Sequence, residues 1–270
     1  MKKVLVVFLL IALLVSLCAC SVPANSFMSK SMVNSLSKKI GEPKAVVTLT
    51  YTSGKDEYVV KITYKLLFEQ APIAVTRFIQ IATKDANSYD NTIIDTLEST
   101  NKSYMIMGRY EKREDSGSTK YYNLRTTDNT FAGEFKSNDY SQPKDGYADF
   151  KVLSLAMFHE ADGDHFNSAN GTIIMALGNK ITLNSANYAV FAEFESMDVI
   201  VNNGEPQPHT KVDSTVLSYL KGLASRTTHP VYDASNESAG STSVSMISNP
   251  PTLSVKILGD YDWTKLPTIR

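Results

Sequence analysis

KAVVTLTYTSGKDEYVVKITYKLLFEQAPIAVTRFIQIATKD, residues 44–85, changes its hydrophobic period once, and that change sets the fold class. Lys44 to Tyr51 alternates and is rich in β-branched residues, the pattern of a half-buried strand. Glu57 to Leu67 repeats it, and Thr52-Ser53-Gly54-Lys55-Asp56 between them reads as a hairpin turn with Gly54 supplying a positive φ. After Ala71-Pro72 the period lengthens. Ile73, Val75, Phe78, Ile79 and Ile81 to Ala82 trace a helical stripe, and Pro72 suits the first turn of a helix. A β-hairpin followed by one helix opens the domain.

Working outward, short candidate strands recur at Thr92 to Leu97, Tyr104 to Tyr110, Lys120 to Leu124, Lys151 to Phe158, Gly171 to Leu177 and Tyr188 to Phe194. Many short strands with few helices indicate a barrel or sandwich, not an α/β sheet. Val212 to Ala224 reads as a further helix capped by Asp213 or Ser214. Residues 233–249 are Ser-, Asn- and Gly-rich and read as a mobile loop, and Leu253 to Leu258 reads as a strand returning to the sheet. The domain organisation expected is a signal over 1–19, a flexible tether over 20–43, a barrel over 44–202, and a C-terminal helix, loop and closing strand over 203–270.

The chain starts MKKVLVVFLLIALLVSLCACSVP. Lys2 and Lys3 form a basic start, and Val4 to Leu17 is apolar but too short and wrongly flanked for a comfortable membrane span. Leu17-Cys18-Ala19-Cys20 resembles a bacterial lipobox. That resemblance implies that Cys20 takes a diacylglyceryl group, becomes the new N-terminus and anchors the domain to the outer face of the bacterial cell membrane. An ordinary secretory signal cleaved near Ala19 is the alternative. Cys18 and Cys20 are the only 2 cysteines, so no disulfide framework is available and the core alone must hold the fold. A formal net charge of −1 without a basic stripe argues against nucleic acid as a partner.

The order of the pieces resembles the cyclophilin family of peptidyl-prolyl isomerases. The Ala-Pro-led helix is Ala71-Pro72-Ile73-Ala74-Val75-Thr76-Arg77-Phe78, followed by Tyr89-Asp90-Asn91-Thr92-Ile93 and Tyr104-Met105-Ile106-Met107-Gly108. Gly133-Glu134-Phe135-Lys136-Ser137-Asn138, Leu153-Ser154-Leu155-Ala156, Val190-Phe191-Ala192 and Ser196-Met197-Asp198-Val199-Ile200 complete the series over residues 45–202. The resemblance implies a mainly β fold: a closed eight-stranded barrel capped by two or three helices. It also implies isomerisation of X-Pro bonds in proline-containing peptides or unfolded exported proteins, by a monomer that needs no cofactor.

Laid on the family pattern, the site residues are largely replaced. Ile94-Asp95-Thr96 stands for the family's Phe-His-Arg run, so Thr96 takes the place of the arginine, and Thr172 takes that of a glutamine. The peptide groove implied by the resemblance is Tyr104, Met105, Met107, Ala156, Met157, Ile174, Asn184 and Tyr188. Arginine offers a fixed charge and a fork of donors where threonine offers one neutral hydroxyl. Two readings follow: a lipid-anchored isomerase of reduced activity, or a non-catalytic lipoprotein that keeps the barrel as a binding module.

Other constellations read as structural. His159-Glu160-Ala161-Asp162-Gly163-Asp164-His165 carries metal-ligand residue types, but its spacing fits no motif and it reads as a surface loop. Tyr51, Tyr58 and Tyr64 read as barrel residues, Met175 and Met197 as core filler, and Trp263 as a pin for the tail.

Overall fold

The computed structural model describes residues 21–22, 26–83, 88–98, 100–125, 130–135, 140, 147–159, 168–183 and 185–269. Its strands are β1 (Ser21–Val22), β2 (Lys44–Ser53), β3 (Asp56–Leu66), β4 (Thr92–Leu97), β5 (Tyr104–Asp115), β6 (Ser118–Asn123) and β7 (Leu155–Met157). They continue with β8 (Ile173–Ala176), β9 (Val190–Val201), β10 (Gln207–His209), β11 (Arg226–Asp233), β12 (Ser241–Ile247), β13 (Thr252–Leu258) and β14 (Thr268–Ile269). Three α-helices lie among the described residues: α1 (Lys30–Ile40), α2 (Pro72–Thr83) and α3 (Ser214–Gly222).

Eight strands close on themselves in the order β5-β4-β13-β2-β3-β9-β7-β8 and back to β5, each neighbouring pair antiparallel. The closed barrel with helices is the architecture the resemblance implied. Closure removes the free edges that would leave backbone groups unpaired. The β2–β3 hairpin runs in unbroken register from Lys44↔Lys65 to Ser53↔Asp56, and Gly54 at φ 66° makes its turn.

Alternation along each strand fills the interior. Ala45, Val47 and Leu49 of β2, Val60, Ile62 and Tyr64 of β3, and Leu253 and Val255 of β13 all belong to one buried cluster. Helix α2 joins that cluster through Ile73, Val75, Phe78 and Ile79, with the Phe78 ring 5.0 Å from that of Phe191 and 5.3 Å from that of Tyr89. The helix start is capped from a distance: the backbone N–H of Ala74 donates to Glu134 Oε2 at 2.9 Å, and Glu134 is fully buried. Burial pushes the Glu134 carboxyl up to about 8, against the pull of the Ile73 and Ala74 amides.

Two expectations from composition are corrected. Residues 233–249 are not a loop throughout: β12 fills Ser241–Ile247 and pairs antiparallel with β11, which pairs parallel with β6, itself an antiparallel neighbour of β5. Serine and threonine in STSVSMI face water while Met246 and Ile247 at its end are buried, so a polar composition hid the strand. The three strands form a flap over the outer face of β4, where Ile93, Tyr110, Tyr121, Val231 and Met246 make a small cluster of their own. Residues 20–43 are likewise not a tether throughout. Ser29 caps α1 by accepting the Met32 N–H at 3.3 Å, and Met32, Val33, Leu36 and Ile40 share the helix face that packs on the core. The proposed strand over Lys151 to Phe158 shortens to Leu155–Met157, and the one over Tyr188 to Phe194 becomes Val190–Val201.

Candidate functional site

Strands β4, β5, β7 and β8 carry the residues of interest, and their pleat sends neighbours to opposite faces. Met105 pairs with Met175, Ile106 with Ile174 and Met107 with Ile173, while Ala156 pairs with Ile174. Over Tyr104–Met107 of β5 the odd-numbered residues point inward. Met105, Met107 and Met157 therefore lie in the barrel core beside Met175, and the groove assigned from the motif order splits in two. Consecutive strand residues cannot line one groove. This corrects those three positions and adds Ile106, 8% exposed, to the outer face.

Tyr104, Ala156, Ile174 and Tyr188 do come together outside the barrel, in a cluster with Leu67, Phe150 and Val190. Ile181, Leu183 and Phe158 pack over them. Ala156 and Ile174 have no exposed surface, and Tyr188 keeps 7%. The patch is apolar but already covered by the chain's own side chains, with the Phe150 and Tyr188 rings 6.2 Å apart. Asn184 and Cys20 lie outside the described residues.

Thr96 sits at the edge of this face, opposite Ile106, where register shifts on either side of Ile94 mark a bulge. Its hydroxyl donates to Asp95 Oδ1 at 2.8 Å. The same oxygen accepts Arg109 Nη2 at 2.6 Å, so a guanidinium from β5 lies beside the Thr96 hydroxyl. Arg109 also lies 4.6 Å over the Tyr110 ring. Burial pushes the fully buried Asp95 carboxyl above its ordinary range, while the Arg109 charge and the Arg109 and Thr96 hydrogen bonds pull it back. Gly108 makes this geometry possible. Its φ is 79°, and a Cβ there would meet the Tyr89 ring at 3.0 Å.

Thr172 is buried and held within its own turn: its hydroxyl donates to Asn170 Oδ1 at 2.8 Å, and its carbonyl accepts the Phe158 N–H at 2.9 Å. It does not reach the outer patch through any of these bonds. His159 is also structural, 2% exposed, its ring stacked 4.9 Å from Phe135 and 4.6 Å from Tyr188 with Nε2 against the Asn187 carbonyl. Residues 160–165 of that segment lie outside the described residues. Among the described residues no group of three or more His, Cys, Asp and Glu side chains converges.

Sequence reasoning missed Arg109 and Glu134 as structural determinants and read Asp95 only as the residue standing where the family run has histidine. Asp95 carried a usable signal, since an ionisable residue inside TIIDTL, an apolar strand, must find a partner. The cap supplied by Glu134 joins residues 60 positions apart and leaves no local pattern.

No family model matches the chain, and no curated protein matches it. Among solved structures, the chain is similar to the crystal structure of the Mimivirus cyclophilin at 11% sequence identity and a TM-score of 0.41. The superposition covers 82% of this chain and 92% of that one. A likeness at this level does not carry residue roles from one protein to the other.

Proposed function

We propose that this chain is an extracytoplasmic, lipid-anchored, cyclophilin-type barrel that acts on X-Pro segments of exported proteins, with peptidyl-prolyl isomerisation reduced to a weak activity. Rotation of a peptide bond faces a barrier of about 18–20 kcal/mol from amide resonance, and an X-Pro bond takes tens to hundreds of seconds unaided. A catalyst needs no covalent step. It must seat the proline ring on an apolar surface and offer a donor to the amide nitrogen as it becomes pyramidal. On the outer face only half-buried Tyr104 and, at its edge, Ile106 offer apolar surface that a ring could reach.

The observation that carries the reduced rate is the state of Thr96. It stands where the family pattern has arginine, and its hydroxyl is already given to Asp95. Losing an active-site donor of this kind costs roughly 10²–10³ in rate. The closed outer patch favours the second reading, a non-catalytic binding module, because Ala156 and Ile174 have no exposed surface for a ring to contact.

A proline-isomerisation assay on the chain starting at Ser21, beside an arginine-bearing cyclophilin, separates the readings. Weak activity is expected, roughly 10²–10³ below the control. A rate equal to the control overturns the assignment of Thr96. No turnover with retained peptide binding selects the second reading. Anchoring is tested separately: Cys20→Ser leaves the chain unprocessed or released from membranes, and a variant that is cleaved and still membrane-bound overturns the lipid anchor.

A further inference from the structure

The outer face of α1 has a composition that packing does not explain. Its apolar residues face the core, and the opposite face presents Lys30, Ser31, Asn34, Ser35, Lys38 and Lys39, all exposed, with no acidic residue anywhere in the helix. Beside it, α1 and the C-terminal segment bound a cleft of about 780 Å³. Met32, Leu36, Tyr261 and Pro267 give this cleft an apolar floor, and Lys39 and Lys265 stand on its walls. Of the acidic groups nearby, Asp262 pairs with Lys265 at 3.3 Å, Glu69 accepts the Ser37 hydroxyl at 2.8 Å and Glu42 pairs with Lys65 at 3.2 Å, while Asp260, next to Tyr261 in the chain, is exposed.

The start of the domain lies at the same place. Ser21 and Val22 pair in parallel with Thr268 and Ile269, and Pro267, next to that strand, lines the cleft. Ser21 follows Cys20 by one peptide bond. If Cys20 carries the lipid, the anchor is one residue from Ser21, whose backbone is paired with Thr268.

We infer that the α1 face and its cleft form a membrane-seating surface for anionic lipid headgroups, which holds the barrel against the bilayer instead of letting it hang free. The inference rests on the anchoring reading for its biological setting but not for its chemistry. Lysines next to an anionic surface each add about fivefold to binding, and the effect falls away within a Debye length of roughly 8 Å. A diacylglyceryl group brings two chains and is a stable anchor by itself, so the basic face sets how the barrel sits on the bilayer and not whether it stays there. Membrane is favoured over an acidic protein because Ser21, the residue after the expected lipidation site, is paired with Thr268 beside this cleft.

The test uses the chain made without residues 1–20, which keeps every described element and bears no acyl group. Co-sedimentation is measured with vesicles of phosphatidylcholine alone and of phosphatidylcholine with one-third phosphatidylglycerol. Binding to the anionic vesicles only is expected, lost at about 0.5 M salt. The combined Lys30→Gln, Lys38→Gln and Lys39→Gln variant is expected to bind about 100-fold more weakly. These side chains are exposed, and an unchanged circular dichroism spectrum checks the fold. The combined Lys55→Gln, Lys61→Gln and Lys211→Gln variant, which lies off this helix, is expected to bind as the wild type does. Failure of the wild type to bind anionic vesicles, equal binding to neutral ones, or equal loss in both variants overturns the inference. A cell fractionation showing no lipid on Cys20 would remove the anchor reading and leave this result standing.

Discussion

The inner and outer faces of β5 and β8 are both buried, yet they are buried by different means. Inside, Met105, Met107, Ile173 and Met175 are enclosed by the other strands of the barrel, whose spacing is fixed by the backbone hydrogen bonds. Outside, Tyr104, Ile106 and Ile174 are covered by loops, by Phe150 and Leu183, and at one edge by the Asp95–Arg109 pair. The inner face is dictated by closure and tolerates only apolar residues of the right size. The outer face is free to change its chemistry, because loops can vary without opening the barrel. A barrel's architecture can therefore persist along one side of a strand while the chemistry on the other side varies.

The contrast can be broken at four points. Phe191→Ala, inside, is expected to cost about 3–5 kcal/mol in urea unfolding, against about 1–3 kcal/mol for Tyr188→Ala, whose site opens toward solvent and can collapse. Equal losses would mean that the outer cover is as rigid as the core. Asp95→Ala leaves Arg109 three-quarters buried without its partner and is expected to cost about 3–5 kcal/mol, with Asp95→Asn costing less. A loss below about 1 kcal/mol would show that the pair is solvated in solution.

Glu134 gives a pH-dependent version. Its carboxyl is raised by burial from 4.5 to about 8, so the folded state binds the proton more tightly than the unfolded one between those values. Stability is then greatest below pH 4.5 as far as this group is concerned, and it is lost, by a few kcal/mol, as pH rises toward about 8. Glu134→Gln should flatten that slope, and a slope unchanged by the substitution would assign it to other groups. The smallest effect is expected from Thr96→Arg. A new guanidinium beside Arg109 should raise isomerisation by no more than about tenfold, because residues of a site act as a unit. Full recovery in the same assay would mean that Thr96 alone separates this chain from an efficient catalyst.

The hairpin and its helix were legible because each has a single period over its whole length. Lys44–Ser53, Asp56–Leu66 and Pro72–Thr83 lie within a residue or two of the expected bounds. The flap was not legible, since Ser241, Thr242, Ser243 and Ser245 of β12 are all exposed and leave little hydrophobic alternation to read. Helix α1 was hidden by its serines and lysines, which read as tether until the apolar spacing of Met32, Val33, Leu36 and Ile40 is weighed. For the site, the motif order located the correct strands but not the correct face. A motif aligned residue by residue ignores the pleat, and so Met105 and Met107 were placed beside Tyr104 although the backbone sends them inward.

Strand β13 has a consequence for the timing of folding. It is the stave between β2 and β4, pairing Val47 with Val255 and Ile93 with Thr252. A chain synthesised from its N-terminus thus carries a barrel with a missing stave until almost its last residues emerge. The β2 edge stays unsatisfied throughout, and such long-range closure is slow and aggregation-exposed. A premature stop before residue 252 would not yield a smaller domain but an open sheet with two sticky edges.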